Sequence, residues 1–142
     1  MLMDGNAMVH RAWHAIQNPL ILSTTNQDVR GVYGFLNAFL RAVKEWSPSY
    51  CAIAFDLPGP TFRHLMYPAY KAQRPHTPDD LRAQFPLVRR VMEAFKVAIF
   101  EIDGYEADDV LGTLSLQASK DGVDTVIITG DTDTLQLVSD NV

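Results

Sequence analysis

The stretch YCAIAFD, residues 50–56, decides the fold, because an apolar run of strand length closes there on an acid. Three more runs of that kind occur at MLM (1–3), VAIFEI (97–102) and TVIIT (125–129). Between them the apolar positions take helical spacing, over roughly 6–17, 32–46, 78–95 and 105–121. Strand-length runs alternating with helices predict an α/β fold, with a mainly parallel central sheet carrying helices on both faces in three layers. The helix near 78 has a start signal, with Thr77 as cap, Pro78 at its first position, then Asp79 and Asp80. The helix over 105–121 carries Ala107, Val110, Leu111, Leu114 and Ala118 as its buried stripe, and Gly122 stands where a C-terminal cap belongs.

With 142 residues, 47% of them hydrophobic, the chain predicts one domain with a real core over 1–142. Its single cysteine, Cys51, lies in an apolar run and cannot form a disulfide within the chain, which suits a small core residue in a reducing cytoplasm. No segment approaches the ~18 consecutive apolar residues of a membrane span, and MLMDGN lacks the basic start of a signal peptide. A cytoplasmic protein with no membrane partner is expected. The net charge of -5 argues against nucleic acid only as an average. Residues 101–142 hold ten of the seventeen acids and one base, Lys120, whereas residues 1–100 hold seven acids and eleven bases.

In an open parallel sheet ligands bind beyond the carboxyl ends of the strands, and there the acids fall. MLM ends in Asp4, YCAIAF in Asp56, and TVIIT runs through Gly130 into Asp131 and Asp133. VAIFEI leads through Asp103 into GYEADDVLGTL (104–114), which sets Glu106, Asp108 and Asp109 into the first turn of a helix. One acid at a strand end is an ordinary turn or cap residue, and acids in a first helical turn complement the macrodipole. Seven converging acids are different, because uncompensated carboxylates ~4 Å apart repel by about 1 kcal/mol even in water. Something cationic should sit among them. An all-carboxylate set without nearby His or Cys suits Mg²⁺ or Mn²⁺ rather than zinc, and pairs of such ions promote phosphodiester cleavage.

A phosphate substrate needs cations, and residues 57–77 supply them. LPGPTFRHLMYPAYKAQRPHT holds four of the eight prolines and reads as a long, irregular or partly helical excursion, mobile without a ligand. Arg63, Lys71 and Arg74 alternate there with Tyr67 and Tyr70, the pattern of a single-strand nucleic-acid contact; the competing reading is a solvated basic loop.

These residues together resemble the N-terminal catalytic part of the 5′ nucleases, that is, the 5′-3′ exonuclease domain of bacterial DNA polymerase I and its flap endonuclease relatives. The resemblance spans essentially the whole chain: MDGNAMVHRAWHA, GVYGFLNAFLRAV, FDLPGPTFRHLMYPAYKAQRP, GYEADDVLGTL and TGDTDTLQLV. It implies a PIN-like fold and two divalent ions, Mg²⁺ or Mn²⁺. It also implies structure-selective cleavage of DNA with 5′ flaps or 5′ ends by a monomer, with a polymerase as a possible neighbour on the natural chain. By motif, Asp4, Asp56, Glu106, Asp108, Asp109, Asp131 and Asp133 take metal positions, with Asp4, Asp56, Lys71 and Arg74 as catalytic residues. Arg11, Arg63, Tyr70, Lys71 and Arg74 take DNA-binding positions, the last three at the start of an arch that clamps the scissile phosphate. Thr132 departs from the pattern, standing where relatives often have a base. The family's helix-hairpin-helix region and two further metal-site aspartates are expected beyond Val142, so residues 1–142 alone are expected to hold one ion well and to cut slowly. Two alternatives stand beside this reading. A catalytically incomplete flap-DNA-binding fragment has no need of so repulsive a cluster, and a phosphatase would need a second acid where Asp4-Gly5-Asn6 has none.

Overall fold

Side-chain alternation along very short strands divides the core in two. The structure, a computed structural model, describes all residues 1–142. Four parallel strands form the sheet: β1 (Leu2–Asp4), then β4 (Ala52–Ala54), β5 (Ala98–Phe100) and β6 (Ile127–Ile128), in the order β5-β4-β1-β6. Met3 pairs with Ile53 and Ile128 in register, so the buried side chains on one face meet as a band. On that face Met3, Ile53 and Phe55 pack against α1 (Gly5–Ala15), α2 (Arg30–Trp46) and α5 (Phe85–Ala94). Their alternates Leu2, Ala54, Phe100 and Ile127 turn to the other face, where α6 (Ala107–Lys120) lays down Ala107, Val110, Leu111 and Leu114. The expected parallel sheet with helices on both faces is what the chain forms.

Three elements differ from the expectation. The segment read as one helix over 78–95 is broken into α4 (Asp79–Arg82) and α5. Gln84 lies at the break with its side chain wholly buried: its amide oxygen accepts from the N–H groups of Gly31 (2.7 Å) and Val32 (3.2 Å) and its amide nitrogen donates to the Asp80 carbonyl. It thereby caps α2, whose own N-cap residue, Val29, makes no side-chain cap bond. Pro86 then opens α5, where a missing N–H costs nothing. The expected Thr77 cap is displaced by one residue, since Pro78 occupies the N-cap of α4. A hairpin of β2 (Ile21–Leu22) and β3 (Gln27–Asp28) was not anticipated; two residues per strand are too few for a period to show. Gly122 does end α6, with φ of +71° just past the C-cap Asp121. Replacing Gln84 with leucine should leave the two α2 N–H groups unpaired and cost about 2 kcal/mol in a denaturant titration.

Residues 57–77 contain one short helix, α3 (Phe62–Met66), followed by turns. The helix starts at Thr61, whose N–H donates to His64 Nδ1 (3.0 Å).

Candidate active site

Parallel strands end on one edge, so the residues that follow β1, β4 and β6 must be neighbours. Asp4 is the last residue of β1, Asp56 follows β4 by two positions, and Asp131 follows β6 by three. A cavity of about 350 Å³ opens at that edge, lined by Asp4, Asp56, Asp131 and Asp133 together with Glu106 and Asp108 from the start of α6. Tyr70, Lys71 and Arg74 complete its wall from the 57–77 segment. Six of the seven expected acids therefore share one cavity with three of the five expected DNA contacts.

The other candidates lie around it. Asp109 lies outside the lining: Arg63 donates to both its carboxylate oxygens at 2.7 Å, and Asp109 accepts from the Glu106 N–H (2.9 Å) in a capping box. Arg63 is thus committed within the chain, lying 4.6 Å over the Phe62 ring. Arg11 is exposed on α1 and borders the separate groove between α1 and α2, beside Gly130.

Two residues that sequence reasoning passed over, Thr129 and Asn6, hold the acids in place, and a third, His10, stands beside them. Thr129 donates its hydroxyl to Asp4 Oδ2 (2.9 Å) and accepts from the Asp131 N–H (3.0 Å), tying the ends of β1 and β6 together. Asn6 Oδ1 accepts from the Asp56 N–H (3.0 Å), which ties α1 to the end of β4. His10, one turn beyond Asn6, lines the cavity, with burial first and then His14 holding its pKa below the usual histidine value. A hydroxyl or amide beside a strand-end acid was the only available signal. Three acids are also helix caps: Asp4 accepts from the Ala7 N–H (2.9 Å), Asp56 from the Ala107 N–H (2.7 Å) at the start of α6, and Asp131 from the Asp133 N–H (2.9 Å) at the start of a short 3₁₀ helix, Thr132–Leu137.

Burial and mutual repulsion leave their mark on these carboxylates. Burial is the main reason that Asp4 titrates above the usual range. The Asp108 pKa is pushed up to about 6, by burial first and then by Asp4, Asp131 and Asp56. Asp109 goes the other way, held low by the Arg63 guanidinium. For Asp108 and Asp4 the folded state binds protons more tightly than the unfolded chain. Their contribution is therefore most favourable below the unfolded value and is lost as pH rises through the folded pKa. Stability without divalent cations should fall by about 1 kcal/mol, after discounting for solvent screening, as pH rises from about 4 to about 7. The Asp109 pair changes only at lower pH, whereas His10, its pKa lowered, adds stability as pH rises through this window and offsets part of the fall. Thermal melts in EDTA across that range measure the slope.

The anionic groups are all oxygen and suit a hard divalent cation that would relieve their repulsion, although His10, a nitrogen donor, also lines the cavity where no nearby histidine was expected. As placed, no three of them close around a single point as an ion cage. The cavity spreads its acids, and Lys71 stands at one end of them, its ammonium 2.8 Å from Glu106 Oε1.

Fold and site define a class: an α/β domain whose parallel strand ends collect carboxylates beside a lysine and an arginine. Within that class the chain belongs to the family described as 5′-3′ exonuclease, N-terminal resolvase-like domain, whose profile matches residues 1–142. It is 44% identical over 142 residues to DNA polymerase I of Chloroflexus aurantiacus, matching 100% of this chain and 15% of that one. To DNA polymerase I of Bacillus subtilis it is 36% identical over 140 residues, matching 99% of this chain and 16% of that one. The chain therefore spans under a fifth of the length of these relatives. Among solved structures, the bacteriophage T5 5′-exonuclease with bound zinc ions superposes with a TM-score of 0.71 at 21% identity, covering 99% of this chain and 52% of that one. The bacteriophage T5 flap endonuclease in a complex with DNA and metal ions gives 0.67 at 20% identity, over 99% and 52%. These two likenesses establish the fold.

Proposed function

We propose that the protein is a divalent-metal-dependent 5′-3′ exonuclease and flap endonuclease that hydrolyses DNA phosphodiesters at 5′ ends and 5′ flaps. The observation that carries this reading is the single cavity in which six strand-end and helix-start carboxylates face Tyr70, Lys71 and Arg74. Asp4, Asp56, Glu106, Asp108, Asp131 and Asp133 would hold the ions, Mg²⁺ or Mn²⁺ by their preference for oxygen. Such ions, when bound, supply an activated water and charge neutralisation at the leaving oxygen. The chain's own part is positioning. Thr129 holds the Asp4 carboxylate and the Asp131 backbone, and Asn6 holds the Asp56 backbone, so that the acids project from rigid strand ends. Lys71 and Arg74, across the cavity, offset the charge of an incoming phosphate, and the Tyr70 ring beside them offers a face on which a base can stack. Asp109 serves in this arrangement by holding Arg63, and Arg11 by reaching the substrate from outside the cavity. The relatives that carry a polymerase on the same chain suggest one here, working on cytoplasmic DNA as a monomer. No helix is long and apolar enough to cross a membrane.

The test is cleavage of a labelled flap duplex with Mg²⁺ set against hydrolysis of a phosphate monoester; activity on the monoester alone would overturn the reading. In DNA binding, Lys71→Ala and Arg74→Ala should each lower the slope of log affinity against log salt by about one. An unchanged slope would mean that neither cation meets phosphate.

A further inference from the structure

The 57–77 segment is fastened to the acid cavity chiefly at one carboxylate. Glu106 is buried, and both its oxygens are engaged from that segment: the Lys71 ammonium donates to Oε1 (2.8 Å), and the Tyr70 hydroxyl donates to Oε2 (3.1 Å). Arg63 stands 3.5 Å from the same Oε2 while gripping Asp109. Little else holds the segment from the last turn of α3 onward, where Leu65 and Met66 are each 80% exposed and Tyr67 is 63% exposed. At Lys71 the backbone has φ of +56°, a left-handed conformation uncommon for a non-glycine residue.

Glu106 also belongs to the cavity assigned above to divalent ions, and the two uses conflict. A doubly charged ion close enough to use a Glu106 oxygen would lie within a few ångströms of the Lys71 ammonium, where like charges repel appreciably even in water and more strongly among buried groups. The ion and the Lys71 ammonium therefore compete for this carboxylate. We infer that Lys71 is a resident stand-in cation. In the metal-free protein it occupies Glu106 and, with Tyr70, latches the segment shut. A divalent ion in the cavity takes Glu106 over and frees Lys71 and Tyr70 for a phosphate. Ion and latch are then linked, and the linkage is reciprocal, so whatever weakens the latch strengthens ion binding by the same factor. This inference rests on the metal reading of the cavity.

Two readouts independent of DNA cleavage test it. In the metal-free protein, digestion by a lysine-specific protease that needs no metal, followed by mass spectrometry, reports access to the bond after Lys71; the bonds after Lys44 and Lys120, at helix ends, serve as internal standards. Saturating Mn²⁺ should speed cleavage after Lys71 about tenfold relative to those standards. Calorimetric titration of Mn²⁺ gives the converse. Lys71→Ala should bind the ion several-fold more tightly than Arg74→Ala, which removes the same charge from the same cavity wall without touching Glu106. Tyr70→Phe should tighten binding without any change of charge. Cleavage after Lys71 that is unchanged or slowed by a bound ion, or equal Mn²⁺ affinities in the Lys71 and Arg74 variants, would overturn the latch while leaving the metal site intact. No Mn²⁺ binding by the unsubstituted protein would overturn both.

Discussion

Asp108→Asn should lower Mg²⁺-dependent cleavage of a flap DNA by at least about a thousandfold, while the metal-free protein becomes more stable. The two halves of this result have one cause. Asp108 has its pKa raised to about 6, by burial first and then by Asp4, Asp131 and Asp56. Above that pH its charge opposes folding, and asparagine removes the charge at nearly constant shape. The same charge is what the cavity offers to a cation, so removing it should cost function. At pH 8 in EDTA the variant should gain about 1 kcal/mol after discounting for partial exposure, and its melting point should vary less between pH 4 and 7. Such opposed changes separate a functional acid from a structural one. A variant that cuts at the normal rate would falsify the placement of Asp108 in the ion site.

The second large effect is expected at Gly5→Ala. Gly5 follows Asp4 directly at the start of α1, and a methyl group there would come within 2.3–2.6 Å of three atoms of the Phe55 ring. The ring is 1% exposed and packed edge-on against Phe85, with Arg89 stacked over it, so it has nowhere to retreat. Overpacking of this kind should cost about 3 kcal/mol and lower Tm by on the order of 10 °C. It should also act on the site. Gly5 adjoins Asp4 and Phe55 adjoins Asp56, so a displaced ring or helix start moves two of the cavity's acids at once. Cleavage measured well below the melting point should therefore fall as well, by more than the unfolded fraction explains. A Tm within a degree or two of the unsubstituted protein would show that α1 and β4 can part more easily than their packing implies.

How much of this was legible beforehand follows from what each signal is made of. The sheet was readable because each strand is a continuous apolar run, and the site because parallel strands must all end on one edge; Asp4, Asp56 and Asp131 needed no tertiary information. The break between α4 and α5 was hidden because Gln84 looks like an ordinary exposed helix residue until α2 appears beside it lacking a cap. Asp109 read as one of three equivalent acids in a first turn. What separates it from Asp108 is the direction in which it projects: α6 turns Asp108 toward the strand ends and Asp109 toward Arg63, 46 positions away in the chain. The same partnership pairs Arg63 within the chain, a contact that its alternation with Tyr67 and Tyr70 does not show. Spacing along one chain lists the charges of a site, but which of them neutralise one another depends on contacts between distant segments.

The central claim is that the carboxylates at the strand ends act on DNA through divalent ions, and one measurement reaches it most directly: labelled product released from a 5′-flap DNA while Mn²⁺ is titrated into the metal-free protein, with Asp131→Ala run alongside. Product should appear only as Mn²⁺ is added, disappear with excess EDTA, and be absent from the variant at every Mn²⁺ concentration. Product formed at an undiminished rate in EDTA, or equally by the variant, would contradict the claim.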